Sequence, residues 1–363
     1  MDFLSQQIYN SPFLIVFFSF LIGQCFMPVV LKVARDRHFV VKPNKRMSHK
    51  GEVPNIGGID IFMSFILTYL LFEYDQIQYS QFIFIGVFLI LMTGFVDDLI
   101  DLSPSWKLLG ECLAGCFLIV LADIRLTNLH GFWNIYNIPD WASYCLSFFV
   151  FVAIVNSLNL IDGVDGLASG LGMLYSLFFA LYFQYINETH LAILAFCLIG
   201  SLAVFFIYNV FGRTHHKIFM GDSGSLLLGY MITLFVFRFC ELNTTLPVST
   251  RLTAAPAIMI GLLAIPLFDT IRVMITRLKQ RRSPFSADKN HMHHLLLKMG
   301  LSHVQVTLVL LALSIGSLSI ALALRHLSNG HLIIILFLYC CLFTFIVWRI
   351  LDWQRRKGHH LEE

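Results

Sequence analysis

The chain has 363 residues, 57% of them hydrophobic and 13% charged, with a net charge of +3 and a mean hydropathy of +0.75. A soluble globular protein carries about 25% charged residues, so the composition excludes a soluble enzyme and a disordered chain. The small net charge gives no footing for nucleic acid. What remains is an all-α polytopic membrane protein, read as a single integral domain over residues 1–363.

A membrane-spanning helix needs about 20 mostly apolar residues. In chain order the qualifying runs are Phe13–Leu31, Ile56–Phe72, Gln81–Val96, Trp106–Ala122, Ala142–Leu158, Leu167–Gln184, Leu191–Val210, Ser225–Cys240, Leu252–Ile271, Val304–Leu324 and Leu332–Ile350. These are eleven expected spans. An odd number puts the termini on opposite sides. With the N-terminus outside, only Arg125, Arg238, Arg251 and Arg325 of the 25 Lys and Arg residues stay outside with it. Cytoplasmic loops carry the excess of Lys and Arg, so the expectation is an external, periplasmic N-terminus and a cytoplasmic C-terminus. The eight cysteines form no CxxC pair and read as small buried hydrophobes.

The polar motifs fall on the expected cytoplasmic side. The first loop combines Arg46, His49 and other bases with Pro54 and the pair Gly57-Gly58, glycines that permit a close backbone approach to a ligand. The third span ends in Asp97-Asp98-Leu-Ile-Asp101. Adjacent carboxylates at a membrane boundary call for neutralisation by a divalent cation or by a phosphate ligand with its metal. The fifth span ends in Asn156-Ser-Leu-Asn159-Leu-Ile-Asp162-Gly163-Val-Asp165-Gly166. Asn159 and Asp162 are three apart and share a helical face. The glycines end one helix just before the next begins, an arrangement suited to an anion and a metal. The loop before the eighth span reads Phe219-Met-Gly221-Asp222-Ser-Gly-Ser225. Asp222 suits a helix cap as well as a ligand, and Phe219 suits core packing as well as stacking on a base.

The ninth span ends in Asp269, one turn before Arg272, where a local ion pair and a functional role are equal alternatives. His291, His293 and His294 follow, too close in sequence to face one way on a helix. Oxygen ligands abound and soft ones are missing, which favours Mg²⁺, with Mn²⁺ as the alternative, and leaves the imidazoles for phosphate contacts. There is no P-loop pattern, so ATP hydrolysis of that kind is not indicated. Acids, amides and bases at one boundary suit a nucleotide-sugar diphosphate meeting a phosphate on a membrane lipid. Phosphoryl transfer needs mainly alignment and charge cancellation. An ion-coupled transporter is the alternative from another class; its acids would lie at mid-span rather than at one boundary.

These stretches resemble the polyprenyl-phosphate N-acetylhexosamine-1-phosphate transferases. The chain carries their DDxxD, NxxNxxDGxDGL, GDxGS and HxHH elements in order. Pro43–Gly58, Phe219–Ser225 and Ser283–Leu295 are most similar to the bacterial undecaprenyl-phosphate N-acetylglucosamine-1-phosphate branch. The resemblance implies a multi-pass inner-membrane enzyme with its site facing the cytoplasm. It would transfer N-acetylglucosamine 1-phosphate from UDP-N-acetylglucosamine to undecaprenyl phosphate, as the first membrane step of O-antigen or enterobacterial common antigen synthesis. Another UDP-N-acetylhexosamine stays open as donor, and a homodimer is a candidate assembly. Carried over, Asp222 and Asn159 would hold Mg²⁺, with Asp97 and Asp98 beside it and one of them aiding attack. Asp162 and Asp165 would belong to the nucleotide and metal region together with Gly163, and Phe219 would lie near uracil. His291, His293, His294, His49, Arg46 and Asp269 would contact substrate.

In a cysteine-free background, Thr244→Cys is expected to react with an impermeant thiol reagent added from outside, and Ser286→Cys is not. Labelling of both from outside would reverse the expected orientation.

Overall fold

The computed structural model describes residues 11–41, 53–72, 80–213, 215–247, 250–283 and 290–357. Every apolar run read from the sequence is helical in it. The helices are α1 (Pro12–Asp36), α2 (Gly57–Phe72), α3 (Ser80–Ile100), α4 (Pro104–Cys116, continued by a π-helical turn Phe117–Leu121), α5 (Asp140–Ile161), α6 (Leu167–Tyr185), α7 (Thr189–Val210) and α8 (Gly221–Thr245). After these come α9 (Ala255–Leu262), α10 (Ala264–Lys279), the short α11 (Met292–Lys298), α12 (His303–Ala323) and α13 (Asn329–Arg356). Two small antiparallel ribbons complete the fold: β1 (Val40–Val41) with β2 (Val53–Pro54), and β3 (Asn128–Phe132) with β4 (Ile135–Asn137).

Among the described residues, nine helices are long and apolar enough to cross a membrane. The eleven expected spans differ from these at two places. The run at Ile56–Phe72 forms the 16-residue α2, shorter than the other spans. The run at Leu252–Ile271 forms two helices, α9 and α10, bent by 76°. Pro266 is the physical reason for the bend: it has no N–H for the carbonyl of Leu262 and its ring crowds that carbonyl. Carbonyls freed at membrane depth must find donors. α12 provides them, with Ser317 Oγ donating to Gly261 O at 2.6 Å and Ser314 Oγ to Leu262 O at 3.3 Å.

The chain groups into two compact units. One holds residues up to Arg125, Phe148–Asp162 and Ala168–Phe235; the other holds Leu126–Ser147, Gly163–Leu167 and residues from Val236 onward. In the first, α2 packs so closely on α8 that a Cβ on Gly58 would lie 2.2 Å from the Gly224 nitrogen. The glycine pair expected to admit a ligand thus admits another helix. Gly57 N donates to Phe219 O and Gly58 N to Met220 O, both at 3.0 Å, while Phe219 N donates to Pro54 O at 2.8 Å. These bonds satisfy the first donors of α2 and fix the segment that leads into α8.

The double variant Ser314→Ala/Ser317→Ala leaves both freed carbonyls without their hydroxyl donors. It should lower stability by about 1 kcal/mol, the scale of an interhelical hydrogen bond in a membrane. Thermal unfolding in detergent checks this, and an unchanged midpoint would show that the hydroxyls are dispensable.

Candidate functional site

In the first unit, polar side chains converge from the ends of four helices. Lys107 stands in the first turn of α4, three residues after Pro104. Its Nζ lies 2.9 Å from Asp97 Oδ2, 3.0 Å from Asp222 Oδ1 and 3.2 Å from Asn159 Oδ1. Asn159 donates through Nδ2 to Asp222 Oδ1 and to Ser225 Oγ, the latter at 2.8 Å. Asp97 also accepts the Leu102 N–H on Oδ1 at 2.7 Å, which locks the turn between α3 and α4. One ammonium therefore neutralises two carboxylates only in part.

Asp98 is adjacent to Asp97 but serves other partners. Its Oδ1 accepts from Asn55 Nδ2 at 2.8 Å and Asp222 N at 2.7 Å, and its Oδ2 from Ser223 N at 3.0 Å. It satisfies donors at the start of α8 from outside that helix, as a carboxylate at a helix N-terminus should. Gly221 makes this approach possible. Its φ is +73°, and a Cβ there would lie 2.6 Å from Asp98 Oδ2 and 2.4 Å from Asn55 O. Glycine in the Gly-Asp pair is thus required by conformation and by space.

A second polar tier lies one turn along. Glu111, four residues after Lys107, is buried and accepts from Asn156 Nδ2 at 2.6 Å. Lys107 with Glu111 and Asn159 with Asn156 follow the i,i+4 and i,i+3 spacings that put side chains on one helical face. Asp162 follows α5, half-buried, its N–H 3.3 Å from Asn159 O. Phe219 is half-buried with Lys217 Nζ 6.0 Å from its ring centroid.

The second unit holds a cluster of its own. Asp269 is buried at the middle of it. Its Oδ2 lies 2.8 Å from His291 Nδ1, and its Oδ1 accepts from Met292 N at 3.0 Å and Arg272 Nη2 at 2.7 Å. Arg272 also donates to Asn290 O. The Asp269–Arg272 ion pair is therefore real, and the same aspartate orients His291. The three histidines group together after all. His291 and His293 stack at 5.7 Å, and His293 and His294 lie 4.2 Å apart. This is feasible because His291 has extended backbone as the residue before α11, so its ring is not bound to the helical spacing. His291 Nε2 and His293 Nδ1 are buried with no hydrogen-bond partner among the described residues. A Cβ on Gly163 would come within 2.7 Å of His293 Nε2, so only glycine admits that ring. Burial first, and His294 next, push the His293 imidazole down to about 3, which keeps it neutral. Asp165 Oδ2 lies 3.2 Å from His303 Nδ1, and Asp165 O accepts from Thr307 Oγ1 at 2.9 Å.

The structure thus joins Asp97, Asp222 and Asn159 directly and places Asp98 behind Asp222 as a backbone anchor. It gathers Asp269 with His291, His293 and His294, and sets Gly163 against them. His49 and Arg46 lie outside the described residues. Sequence reading gave no role to Lys107, Asn55 and Glu111, and named Ser225 only as the end of the Gly-Asp stretch. A lysine just inside an apolar run, soon after three aspartates, was the available signal. Asp97, Asp222 and Asn159 carry hard oxygen donors of the kind Mg²⁺ takes. No three His, Cys, Asp or Glu side chains converge to hold a metal among the described residues. An ion held there would share its coordination with oxygens of a ligand, as Mg²⁺ commonly does with phosphates.

Comparison with known proteins adds a second line. Residues 80–239 match the model of glycosyl transferase family 4. The undecaprenyl-phosphate alpha-N-acetylglucosaminyl 1-phosphate transferase of Escherichia coli (strain K12) is 29% identical over 326 residues, covering 88% of this chain and 86% of that protein. The protein of that name from Yersinia pestis is 30% identical over 293 residues, covering 79% and 77%. A probable undecaprenyl-phosphate N-acetylglucosaminyl 1-phosphate transferase of Bacillus subtilis (strain 168) is 30% identical over 292 residues, covering 78% and 76%.

The low value at His293 has a sign that can be tested. Its folded value lies below the ordinary 6.5, so the unfolded chain takes up a proton first as pH falls. The associated stability is present above about 6.5 and is lost as pH falls toward 3. His293→Gln should show a shallower loss of thermal midpoint across that interval than the parent. Parallel slopes would mean that His293 is protonated in the folded protein.

Proposed function

The chain belongs to glycosyl transferase family 4 as a membrane-bound glycosyl-1-phosphate transferase, and on that premise we propose that it moves N-acetylglucosamine 1-phosphate from UDP-N-acetylglucosamine to undecaprenyl phosphate. The products are undecaprenyl-diphospho-N-acetylglucosamine and UMP. The reading includes an inner-membrane location, a site facing the cytoplasm and a place at the first membrane step of O-antigen or enterobacterial common antigen synthesis. The observation that carries it is the Lys107 ammonium held among Asp97, Asp222 and Asn159 at helix ends.

In this reading a phosphate oxygen of the lipid attacks the β-phosphorus of the nucleotide sugar. The bond between that phosphorus and the bridging oxygen breaks, and UMP leaves with the electron pair. A phosphate monoester with a second pKa near 6 is largely a dianion at pH 7, so no protein base is required. Lys107 contributes positive charge where anionic oxygens gather. Asp97, Asp222 and Asn159 are the residues that would hold Mg²⁺, which supplies charge neutralisation on the diphosphate. Asp98 acts at one remove, by fixing the backbone that carries Asp222. His291, His293 and His294, with Arg272 near them, are the candidate groups for phosphate or sugar contacts.

The test is the purified protein with UDP-N-acetylglucosamine, undecaprenyl phosphate and Mg²⁺. UMP should form only when the lipid is present, and exhaustive chelation should abolish it. UMP released stoichiometrically without lipid, with label left on the protein, would replace direct attack by a covalent intermediate. Asp222→Asn and Asp162→Asn should each lower turnover by roughly 10²-fold or more, the usual effect of removing a charge-organising group at a transition state. Folded variants working within a few-fold of the parent would make both aspartates structural. UDP-N-acetylgalactosamine offered as a competing donor decides the sugar.

A further inference from the structure

The β3–β4 hairpin takes no part in either polar cluster, yet it is tied down at several points within its own unit. Thr127 donates to Glu241 twice, from N to Oε1 at 2.7 Å and from Oγ1 to Oε2 at 2.6 Å. Asn329 Nδ2 donates to His130 O at 2.8 Å, and Ser143 Oγ to Leu126 O at 2.6 Å. Glu241 is in the last turns of α8, Asn329 is the first residue of α13, and Ser143 is in the first turn of α5. Three apolar spans therefore end where the hairpin is fastened. That fixes its depth at a bilayer boundary without any assumption about which side it is.

The hairpin turns its aromatic rings outward. Trp133 at the tip is 81% exposed, Tyr136 63%, and Trp141, in the first turn of α5, 72%. Trp133 and Asn134 form the two-residue turn with φ of 52° and 62°. A turn of that kind favours Asn or Gly at both positions, and a bulky side chain is strained there. Packing inside the protein does not account for the choice, because the ring is almost wholly exposed. Charge does not account for it either. Between Leu126 and Ser143 the chain has one Asp, no Glu, Lys or Arg, and three Asn. A charged protein partner would find little to pair with.

We propose that this hairpin is a membrane-interface anchor, its Trp133, Tyr136 and Trp141 rings seated in the head-group region of the bilayer. Indole and phenol rings prefer that region because one end is apolar and the other donates a hydrogen bond. The exposed Asn134 amide at the tip is a neutral partner for glycerol and phosphate oxygens at the same depth. The exposed apolar face of α13 continues from its anchored end through Ile334, Phe337 and Leu338 into the hydrocarbon zone.

The experiment compares the tryptophan emission of the full-length parent and Trp133→Phe in phosphatidylcholine vesicles, the difference isolating Trp133. Most of that emission should be lost when the lipid is brominated near the head-group end of its acyl chains. Acrylamide in the water should quench it much less in vesicles than in detergent-free denaturant. Emission quenched freely by acrylamide and indifferent to bromine would put the tip in water and overturn the proposal. Protection from both quenchers would put it against another protein and overturn it as well. If Trp133→Phe does not fold, Trp133→Asn, which suits the turn, gives the same difference, and Trp141→Phe tests the second ring independently.

Discussion

The ammonium of Lys107 is shared by Asp97, Asp222 and Asn159, side chains from three other helices, and this sharing organises the first unit. Two carboxylates so close to one another repel strongly where the dielectric is low. A lysine at the start of α4 turns the repulsion into a tether between helix ends. Its one positive charge against two negative ones still leaves the group anionic. The same contacts that hold the helices in place therefore gather hard oxygen donors at their ends.

Asp98 shows how the group is kept in register. Two carboxylates side by side in sequence point in different directions on a helix, so they divide the work. Asp97 faces the lysine, and Asp98 faces the exposed N–H groups at the start of α8. The close approach rests on Gly221, whose φ and lack of Cβ leave room for Asp98 and for the Asn55 carbonyl. A side chain there would displace Asp222 without touching it. The Gly-Asp pair is a structural requirement first, and the position of the Asp222 carboxylate follows from it.

Much of this was legible in the chain because apolar runs and motif spacing are local. The helical runs and the asparagine–aspartate stretch needed no tertiary information. Lys107 was not legible as a site residue because its role depends on contacts 10, 52 and 115 residues away, which no periodicity encodes. The bend at Leu263 was hidden in an apolar run, where only Pro266 broke the pattern and the serines that repair it lie on another helix. The histidines were misread for a simpler reason. The helical rule was applied to a residue that precedes the helix, and extended backbone at His291 frees its ring to stack on His293. The hairpin left no trace in hydropathy because a turn with Trp at a left-handed position runs against the usual turn chemistry.

The Asp269 carboxylate in the second unit follows a different electrostatic logic from Asp97 and Asp222. It is buried, yet every oxygen has donors: His291 on one side, Arg272 and the Met292 N–H on the other. A buried charge so fully satisfied is unavailable to a cation, and its effect passes outward through the groups it holds. Through His291 it fixes which nitrogen is turned away, and Nε2 is left buried with no partner among the described residues. His293, kept neutral by burial, turns Nε2 toward Gly163 and leaves Nδ1 buried with no partner among the described residues. An unsatisfied polar atom in a buried position costs stability, and two neighbouring ones are best explained by a ligand that supplies their partners.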